Sequence, residues 1–368
     1  MTMQIRGASP ATTPLRVAEI SLAALRHNVR ALRHSGARVI VVVKANAYGH
    51  GAHLVAPEVI AAGAEMVAVA SLDEALALRQ HGSTAPILCW LHEPTFDAAA
   101  AIEHRIELGV SSPDQLRRIA AAALSSGRPA TAQLKLDTGL SRNGASPESW
   151  RELATAAQHA SHAGLVRITG VFSHLANASA EADLAQAARF EHGLAELAAL
   201  GVRPPLRHLA ASAAALSSPH LRYDAVRVGL AAYGLEPGPE RSPGGIMLRP
   251  VMTLATELVA VRRERQPPLG IVPLGYADGL PRALGDRGIT VRVRGERVPI
   301  IGQIGMDECA VALTGGAAAA TPGDRVVLFG DPAVGHPAVE EWSEQLGTIN
   351  YEIVARIGPR VQRRTIGP

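Results

Sequence analysis

Lysine is almost absent from this chain. Of its 36 basic residues, only Lys44 and Lys135 are lysines, and the other 34 are arginines. Because arginine serves wherever a cation is enough, a retained lysine suggests chemistry that a guanidinium cannot perform, such as Schiff-base formation. A surface lysine with a solvated head is the alternative interpretation of either position.

Aromatic residues, cysteines and blocks of like charge are also scarce. Aromatics make up 3% of the 368 residues and the net charge of +3 is dispersed, so no nucleic-acid partner is expected. Cys89 and Cys309 lie far apart without metal-ligand spacing, which argues against a metal site or a disulfide framework. The N-terminal 16 residues lack the apolar core of a signal peptide, and no run is long enough for a membrane span. These features predict a cytoplasmic protein.

Short apolar runs alternate with amphipathic segments rich in alanine, leucine and arginine over the first two thirds of the chain. This alternation is typical of an α/β fold, either a (β/α)₈ TIM-type barrel or a doubly wound open sheet. A possible strand at residues 18–20 and a helix capped by Ser21 precede it. The eight strand candidates are residues 39–43, 66–70, 86–90, 106–110, 132–136, 168–172, 206–210 and 225–228.

The sequence pattern changes after about residue 244, where helical periodicity becomes rare and short β-like runs are separated by glycine and proline. We therefore expect a barrel at residues 1–243 and a mainly β domain at 244–368, divided by the Pro/Gly-rich stretch at 237–245. The runs in the second domain are residues 253–261, 271–274, 289–293, 298–301, 308–312 and 325–329, with a helix near 339–346.

Three of the strand ends carry residues suited to a binding site. Ligands of α/β proteins bind at the carboxyl ends of the strands, so Lys44 is expected to project into a site, with Tyr48 one turn behind. Barrels commonly seat a phosphate after the last two strands, where Ser212 offers a hydroxyl and Gly229 and Leu230 offer backbone N–H groups.

Seven short motifs are spread along the chain. They are Val-Lys-Ala-Asn-Ala-Tyr-Gly-His-Gly at 43–51, Lys-Leu-Asp-Thr-Gly-Leu-Ser-Arg-Asn-Gly at 135–144, Ser-His at 173–174, Arg-Val-Gly-Leu at 227–230, Gly-Tyr-Ala-Asp-Gly at 275–279, Gly-Met-Asp at 305–307 and Thr-Ile-Asn-Tyr-Glu at 348–352. This series resembles the motifs of the alanine racemases, which use pyridoxal phosphate. The resemblance runs in family order from about residue 18 to the C-terminus and implies a (β/α)₈ barrel followed by a C-terminal β domain.

The resemblance implies a two-base reaction that interconverts L-alanine and D-alanine and supplies D-alanine for peptidoglycan. Lys44 would form the internal aldimine and act as one acid/base group. Tyr276 would be the other, contributed by the C-terminal domain of the partner subunit in a homodimer with shared active sites. Inverting a stereocentre requires proton carriers on opposite faces, which is why two groups are needed. Judged without the resemblance, Tyr276 is most simply a turn aromatic.

Further roles follow from the same resemblance. Tyr48, Ser212, Gly229, Leu230 and Tyr351 would bind the cofactor phosphate. Arg227 would face the pyridine nitrogen, and His174 would bridge Arg227 and Tyr276. An ordinary salt-bridge arginine and a core histidine are the alternatives for these last two positions.

The substrate carboxylate would meet Arg142 and the backbone N–H of Met306. Lys135 occupies the position where many relatives carry a carbamylated lysine, whose negative charge would pair with Arg142. No metal ion is implied.

Two departures from the family pattern stand out. The segment at 262–272 is shorter than the hairpin that relatives carry ahead of Tyr276. Ala211 replaces an asparagine that commonly precedes the phosphate-binding serine, which predicts weaker retention of the cofactor.

Several other functions remain open from the sequence. They are a broad-specificity or serine racemase, a pyridoxal phosphate-binding relative with little activity, and a barrel decarboxylase acting on basic amino acids. The motifs at 275–279 and 348–352 argue against a single-domain carrier, and the decarboxylase lacks an acidic partner and a cysteine motif here.

Overall fold

The computed structural model describes residues 15–33, 36–93, 95–238 and 246–367. The described residues divide into two compact units, one formed by those within 21–251 together with Gly367 and the other by residues 15–20 together with Met252–Ile366. Most of the Pro/Gly-rich stretch at 237–245, like nearly all of the N-terminal tail, lies outside the described residues.

Eight parallel strands close into a barrel in the first unit, which confirms the predicted TIM-type fold. Arg38–Val42 pairs with Met66–Val69 on one side and with Ala225–Val228 on the other, so the sheet has no free edge. Branched and small apolar side chains such as Ile40, Val42 and Ala68 fill part of the interior. The strands are Arg38–Val42, Met66–Val69, Ile87–Cys89, Ile106–Val110, Ala130–Lys135, Val166–Phe172, Leu206–Ala211 and Ala225–Val228.

Serine residues begin many of the barrel helices. The Ser21 hydroxyl accepts a hydrogen bond from Ala24 N at 3.2 Å, and Ser71 forms a capping box with Glu74. Such caps satisfy N–H groups that the first helical turn leaves unpaired. The α-helices of this unit that follow a barrel strand or lead into one are Leu22–Arg33, Ala52–Ala61, Leu72–Gln80, Ala98–Glu103, Pro113–Ser126, Pro147–His162, Ala180–Ala199 and Ser212–Ser217.

A nine-stranded sheet forms the second unit, which confirms the mainly β domain. Its strand Arg16–Ser21, which the sequence assigned to the barrel segment, instead pairs antiparallel with Met252–Glu257. In sheet order the strands are Ala260–Arg262, Leu269–Val272, Cys309–Ala312, Glu296–Ile301, Thr290–Val293, Arg325–Phe329, Met252–Glu257, Arg16–Ser21 and Gln362–Ile366.

The run at 253–261, expected as one strand, is divided in the structure. Met252–Glu257 pairs with Arg325–Phe329, whereas Ala260–Arg262 pairs with Leu269–Val272, so the chain changes partner between them. Two helices, Val339–Leu346 and Asn350–Ala355, accompany the sheet. Within the described ranges, no helix is both long enough and apolar enough to cross a membrane.

Candidate active site

Lys44 begins a left-handed helical turn directly after the first barrel strand. Ala45, Asn46, Ala47 and Tyr48 all have φ between 52° and 56°. Residues with a Cβ rarely adopt this conformation, which costs each of them about 1–2 kcal/mol. The turn keeps helical hydrogen bonds, since Ala47 N donates to Val43 O at 2.8 Å. Backbone strain therefore lies between the two motif residues Lys44 and Tyr48.

Side chains from neighbouring segments hold this turn. The Glu74 carboxylate accepts from Ala45 N at 2.6 Å, and the Asn46 side-chain oxygen accepts from Ala52 N at 2.9 Å. Burial, followed by the positive charge of Arg142, lowers the pKa of Lys44. The neutral amine is consequently more abundant at a given pH than in an ordinary lysine, and it is the form that attacks an aldehyde.

Tyr48, Ser212 and Gly229 meet at the ends of the first and last two barrel strands. A Cβ added to Gly229 would lie 2.3 Å from the Tyr48 hydroxyl oxygen, so only glycine allows this approach. Ser212 Oγ accepts from Gly229 N at 3.2 Å and from Ala231 N at 3.4 Å. Because both amides donate to Oγ, the hydroxyl proton can point toward a ligand oxygen. Leu230 begins the short 3₁₀ helix Leu230–Tyr233 that follows Gly229.

Arg227 is buried among carbonyl groups at the end of the last barrel strand. Its guanidinium donates to His208 O at 2.9 Å, Ser173 O at 2.6 Å and Leu209 O at 3.1 Å. Burial lowers the pKa of Arg227 to about 9, which leaves it charged at neutral pH. His174 Nδ1 lies 3.1 Å from Arg227 Nη2 and must accept, because a guanidinium only donates.

His174 and Lys135 both lose proton affinity in this surrounding. Burial, followed by the charges of Arg227 and Arg142, lowers the pKa of His174 to about 3, so its ring is neutral. Burial and the same two arginines lower the pKa of Lys135 to about 8. The Lys135 ammonium lies 5.6 Å from the centroid of the Phe172 ring. The structure thus brings both lysines of the chain into one cationic surrounding with Arg142 and Arg227.

Tyr276 belongs to the second unit, where its backbone is tightly fixed. Tyr276 N donates to Gly305 O at 2.9 Å, and a Cβ on Gly275 would lie only 2.3 Å from Met306 O. Asp278 Oδ2 accepts from Gly275 N at 2.9 Å. The tyrosine ring is nevertheless 41% exposed. The Gly-Tyr-Ala-Asp-Gly motif is therefore a rigid turn that presents its aromatic side chain outward.

Met306 and Tyr351 are exposed residues of the same unit. Tyr351 lies on the helix Asn350–Ala355, and Met306 lies in the loop that accepts hydrogen bonds from the Tyr276 turn. The shortened 262–272 segment still forms a hairpin, with Arg262 opposite Leu269. Its second strand also pairs with Cys309–Ala312, so the chain enters the Tyr276 turn from a strand paired on both sides.

Comparison with known proteins agrees with this geometry. The family profile described as alanine racemase, N-terminal domain, matches residues 20–237, and the C-terminal domain profile matches residues 257–365. The chain belongs to the alanine racemase family. It is accordingly an isomerase of the pyridoxal phosphate-dependent racemase class.

Individual alanine racemases resemble the chain over nearly its whole length. The one from Streptomyces coelicolor is 43% identical, covering 94% of each chain. The crystal structure of the Streptomyces lavendulae enzyme superposes with a TM-score of 0.91 at 41% identity, covering 97% of this chain and 98% of that one. The alanine racemase of Bartonella henselae, solved with covalently bound pyridoxal phosphate, gives a TM-score of 0.83 at 29% identity over 96% and 100%.

The barrel residues of this family member fit an anionic cofactor. The charges that lower the pKa of Lys44 or Lys135 include Arg142, Arg227 and, for Lys135, Lys44 itself, whereas Glu74 and Asp137 act in the opposite direction. This excess of positive charge suits a phosphate ester together with a substrate carboxylate. The Tyr48 and Ser212 hydroxyls of the Tyr48–Ser212–Gly229 cradle are hydrogen-bond donors of the kind that suits a phosphate.

Sequence reasoning missed three polar residues of the barrel. Glu74 holds the left-handed turn, and its only sequence signal was a capping-box spacing from Ser71. Gln133 and His208 are fully buried in the barrel interior. A glutamine and a histidine inside predicted strands are a detectable signal, because such strands are otherwise filled with apolar side chains.

Proposed function

We propose that this chain is an alanine racemase that interconverts L-alanine and D-alanine with pyridoxal phosphate as cofactor. The observation that carries the proposal is the Lys44 amine of lowered pKa on the same turn as Tyr48, whose hydroxyl lies against Gly229 of the cradle. The Bartonella henselae relative with covalently bound pyridoxal phosphate supports the choice of cofactor.

Racemisation removes a proton from one face of the substrate Cα and returns one to the other face. Lys44 serves one face, and Tyr276 serves the other. The exposed ring of Tyr276 supports its contribution to the site of the partner subunit in a homodimer. Bound pyridoxal phosphate supplies an electron sink for the charge left on Cα.

The remaining barrel residues bind and orient. Tyr48, Ser212, Gly229 and Leu230, with Tyr351 from the second unit, hold the phosphate. Arg227 would face the pyridine nitrogen, and because a guanidinium only donates hydrogen bonds it would not stabilise a protonated nitrogen, which would restrain side reactions that need a protonated ring. His174 connects Arg227 with Tyr276.

Arg142 and the backbone N–H of Met306 bind the substrate carboxylate. We assign Lys135 to a carbamate, since its pKa of about 8 leaves a fraction of neutral amine near neutral pH. The amine nitrogen adds to the carbon of CO₂ and releases one proton to water. The resulting anion pairs with Arg142. A ¹³C carbamate signal after incubation with ¹³C-bicarbonate, absent from Lys135→Arg, is the expected result.

The two units divide this work. The barrel, residues 1–243 by the sequence boundary, binds the cofactor, and the β domain at 244–368 donates Tyr276 to the partner. The reaction takes place in the cytoplasm and supplies D-alanine for peptidoglycan. The tyrosines at 276 and 351 restrict the substrate side chain to a small one.

The test measures D-alanine formation by the purified protein while its absorption spectrum is recorded. Lys44→Ala is expected to lose the absorbance of covalently attached cofactor and the activity. Tyr276→Phe is expected to keep the absorbance and lose racemisation, whereas the control Tyr223→Phe keeps both.

Two results would replace the proposal. Comparable rates on serine, lysine or arginine would make the protein a broad-specificity racemase. Bound cofactor without formation of D-alanine would make it a cofactor-binding relative.

A further inference from the structure

A chain of hydrogen bonds crosses the interior of the barrel and ends at Arg227. Gln133 Nε2 donates to Glu107 Oε2 at 2.9 Å, and Gln133 Oε1 lies 2.7 Å from His208 Nε2. His208 Nδ1 lies 3.0 Å from Arg227 Nη1. Four residues from four strands of the barrel are therefore linked in the order Glu107, Gln133, His208, Arg227.

The identities of the end residues fix the direction of every bond in this chain. Arg227 can only donate, so His208 Nδ1 must accept. Burial and the charge of Arg227 hold the pKa of His208 well below its usual value, so the ring is neutral and carries its proton on Nε2. That proton requires the oxygen of Gln133, which turns the amide NH₂ of Gln133 toward Glu107. All donors thus point from Arg227 toward the Glu107 carboxylate.

Packing holds the middle of the chain in place. The rings of His208 and Phe172 stack at a centroid distance of 4.9 Å with 6° between their planes. A Cβ on Gly170 would lie 2.8 Å from Gln133 Oε1, so only glycine leaves room for this amide. The second hydrogen of the Gln133 amide faces the Met66 sulfur at 3.9 Å. Because the side chains of His208 and Gln133 are restricted in their rotamers, the hydrogen-bond chain transmits a change at one end to the other.

Glu107 is the end of the hydrogen-bond chain that lies opposite Arg227. Its carboxylate also accepts from Thr169 Oγ1 at 2.8 Å, and it lines a cavity of about 650 Å³ together with Thr131 and Arg167. Burial alone lowers the pKa of Arg227, with no carboxylate in the described part of the chain acting on it directly. Glu107 is the acid that reaches Arg227 through hydrogen bonds.

We propose that Glu107 is a positioning residue whose negative charge, relayed by Gln133 and His208, fixes the orientation of Arg227 toward the cofactor. This inference rests on the proposed function for the role of Arg227. A charged acceptor at the end polarises each bond of the chain and strengthens the one between Arg227 and His208.

The test uses the full chain labelled with ¹⁵N-histidine, with pyridoxal phosphate bound. The His208 signal is identified by its loss in His208→Asn. In the wild type we expect a neutral ring protonated on Nε2. In Glu107→Gln we expect the Nε2 proton signal to move upfield and the dissociation constant of pyridoxal phosphate to rise about tenfold, the size expected for weakening a charge-assisted bond. We also expect kcat for alanine to fall with little change in KM.

A charge swap separates relayed charge from mere packing. Glu107→Gln combined with Gln133→Glu keeps the same atoms in the barrel and returns a carboxylate to the chain, next to His208. We expect this double variant to restore the His208 signal and cofactor affinity. The matched control is Glu103→Gln, an exposed acid that lines the same cavity and is expected to change neither.

The variant Thr169→Val provides a further test that keeps the Glu107 carboxylate. It deletes the competing donor to Glu107, so the bond from Gln133 should strengthen and the His208 signal should move downfield. The proposal is overturned if Glu107→Gln leaves the His208 signal and the cofactor affinity unchanged, or if the charge swap does not restore them. Should Glu107→Gln be insoluble, the proposal is overturned if Thr169→Val has no effect on the His208 signal. The histidine signals are measured without turnover, so a failure of the proposed function alone would leave them as expected.

Discussion

Lys44 and Tyr276 are held by the chain in opposite ways. After Lys44 the backbone is wound left-handed through four residues with side chains, and the amine lies half-buried among cations. Around Tyr276 the backbone is an ordinary 3₁₀ turn fixed by Gly305, and the ring faces outward. Lys44 is therefore fixed by burial and a strained backbone, whereas Tyr276 is fixed by a rigid turn and its ring is exposed.

The difference shows two solutions to the same task of aiming a side chain. The left-handed turn costs about 1–2 kcal/mol per residue, and hydrogen bonds from backbone N–H groups to the side-chain oxygens of Glu74 and Asn46 help to offset that cost. The Tyr276 turn needs no such compensation, because Gly275 supplies the close approach that a side chain would prevent. Four predictions test this contrast.

The largest effect is expected when Lys44 and Tyr276 are substituted singly and the two variants are then combined in mixed dimers. Lys44→Ala and Tyr276→Phe should each lower racemisation by about 1,000-fold or more, because each removes one proton carrier. If sites are shared in a dimer, coexpression gives mixed dimers with one intact site, and about a quarter of wild-type activity should return with random pairing.

The control for this experiment pairs Lys44→Ala with a chain that carries both substitutions, which offers no intact site. Mixed dimers that stay as inactive as this control would contradict the donation of Tyr276 to a partner.

Gly275→Ala should disturb the Tyr276 turn alone. The added methyl group collides with Met306 O, so the tyrosine shifts and kcat should fall about 100-fold, as misplacement of a reacting group does. Cofactor affinity should stay unchanged, as measured by fluorescence titration. Gly316→Ala, where the nearest atom at 3.2 Å belongs to the flexible Glu296 side chain, is the control. Equal losses in both variants would argue against a special role for Gly275.

Ala211→Asn should strengthen the barrel side of the site. Ala211 precedes Ser212 at the start of the helix Ser212–Ser217 and makes no side-chain capping bond. One added hydrogen bond near a charged phosphate should lower the cofactor dissociation constant about tenfold. Ala211→Val adds bulk without the amide and serves as control. An asparagine variant that binds no tighter than the wild type removes the explanation for weak retention.

Ala45→Gly should produce the smallest change and reveal the strain directly. At φ 52° glycine is not penalised, so the free energy of unfolding should rise by about 1 kcal/mol in urea denaturation. The same change at the exposed Ala121, inside the right-handed helix Pro113–Ser126, should lower it by about 1 kcal/mol. Destabilisation at both positions would mean that the turn stores no strain.

The barrel was predictable because its strands are apolar runs separated by amphipathic segments. The run at 225–228 matches the strand Ala225–Val228, and the candidate at 206–210 misses Leu206–Ala211 by one residue. The strand Gln362–Ile366 was missed, since Ile366 is the one apolar residue among its five. The partner of Arg16–Ser21 could not be found either, because antiparallel pairing between distant segments leaves no local signal.

The site was predictable only in part for similar reasons. Lys44 follows a strand that periodicity reveals, and Arg227 lies near the end of another. Nothing in Ala45 or Ala47 favours a left-handed backbone, so the turn arises from tertiary contacts that the sequence does not display. Gln133 and His208 stand out as polar residues in apolar strands, but their hydrogen-bond partners could not be predicted because they come from different strands.

The strand Arg16–Ser21 constrains the order in which the chain can fold during its synthesis. It is synthesised before the barrel, whereas its neighbours in the sheet, Met252–Glu257 and Gln362–Ile366, are synthesised after the barrel. A nascent chain that has already completed its barrel still carries a largely apolar segment with both edges unsatisfied, which is a natural substrate for chaperones and for self-association. That early segment is therefore enclosed on both sides only after the chain through Ile366 has been synthesised.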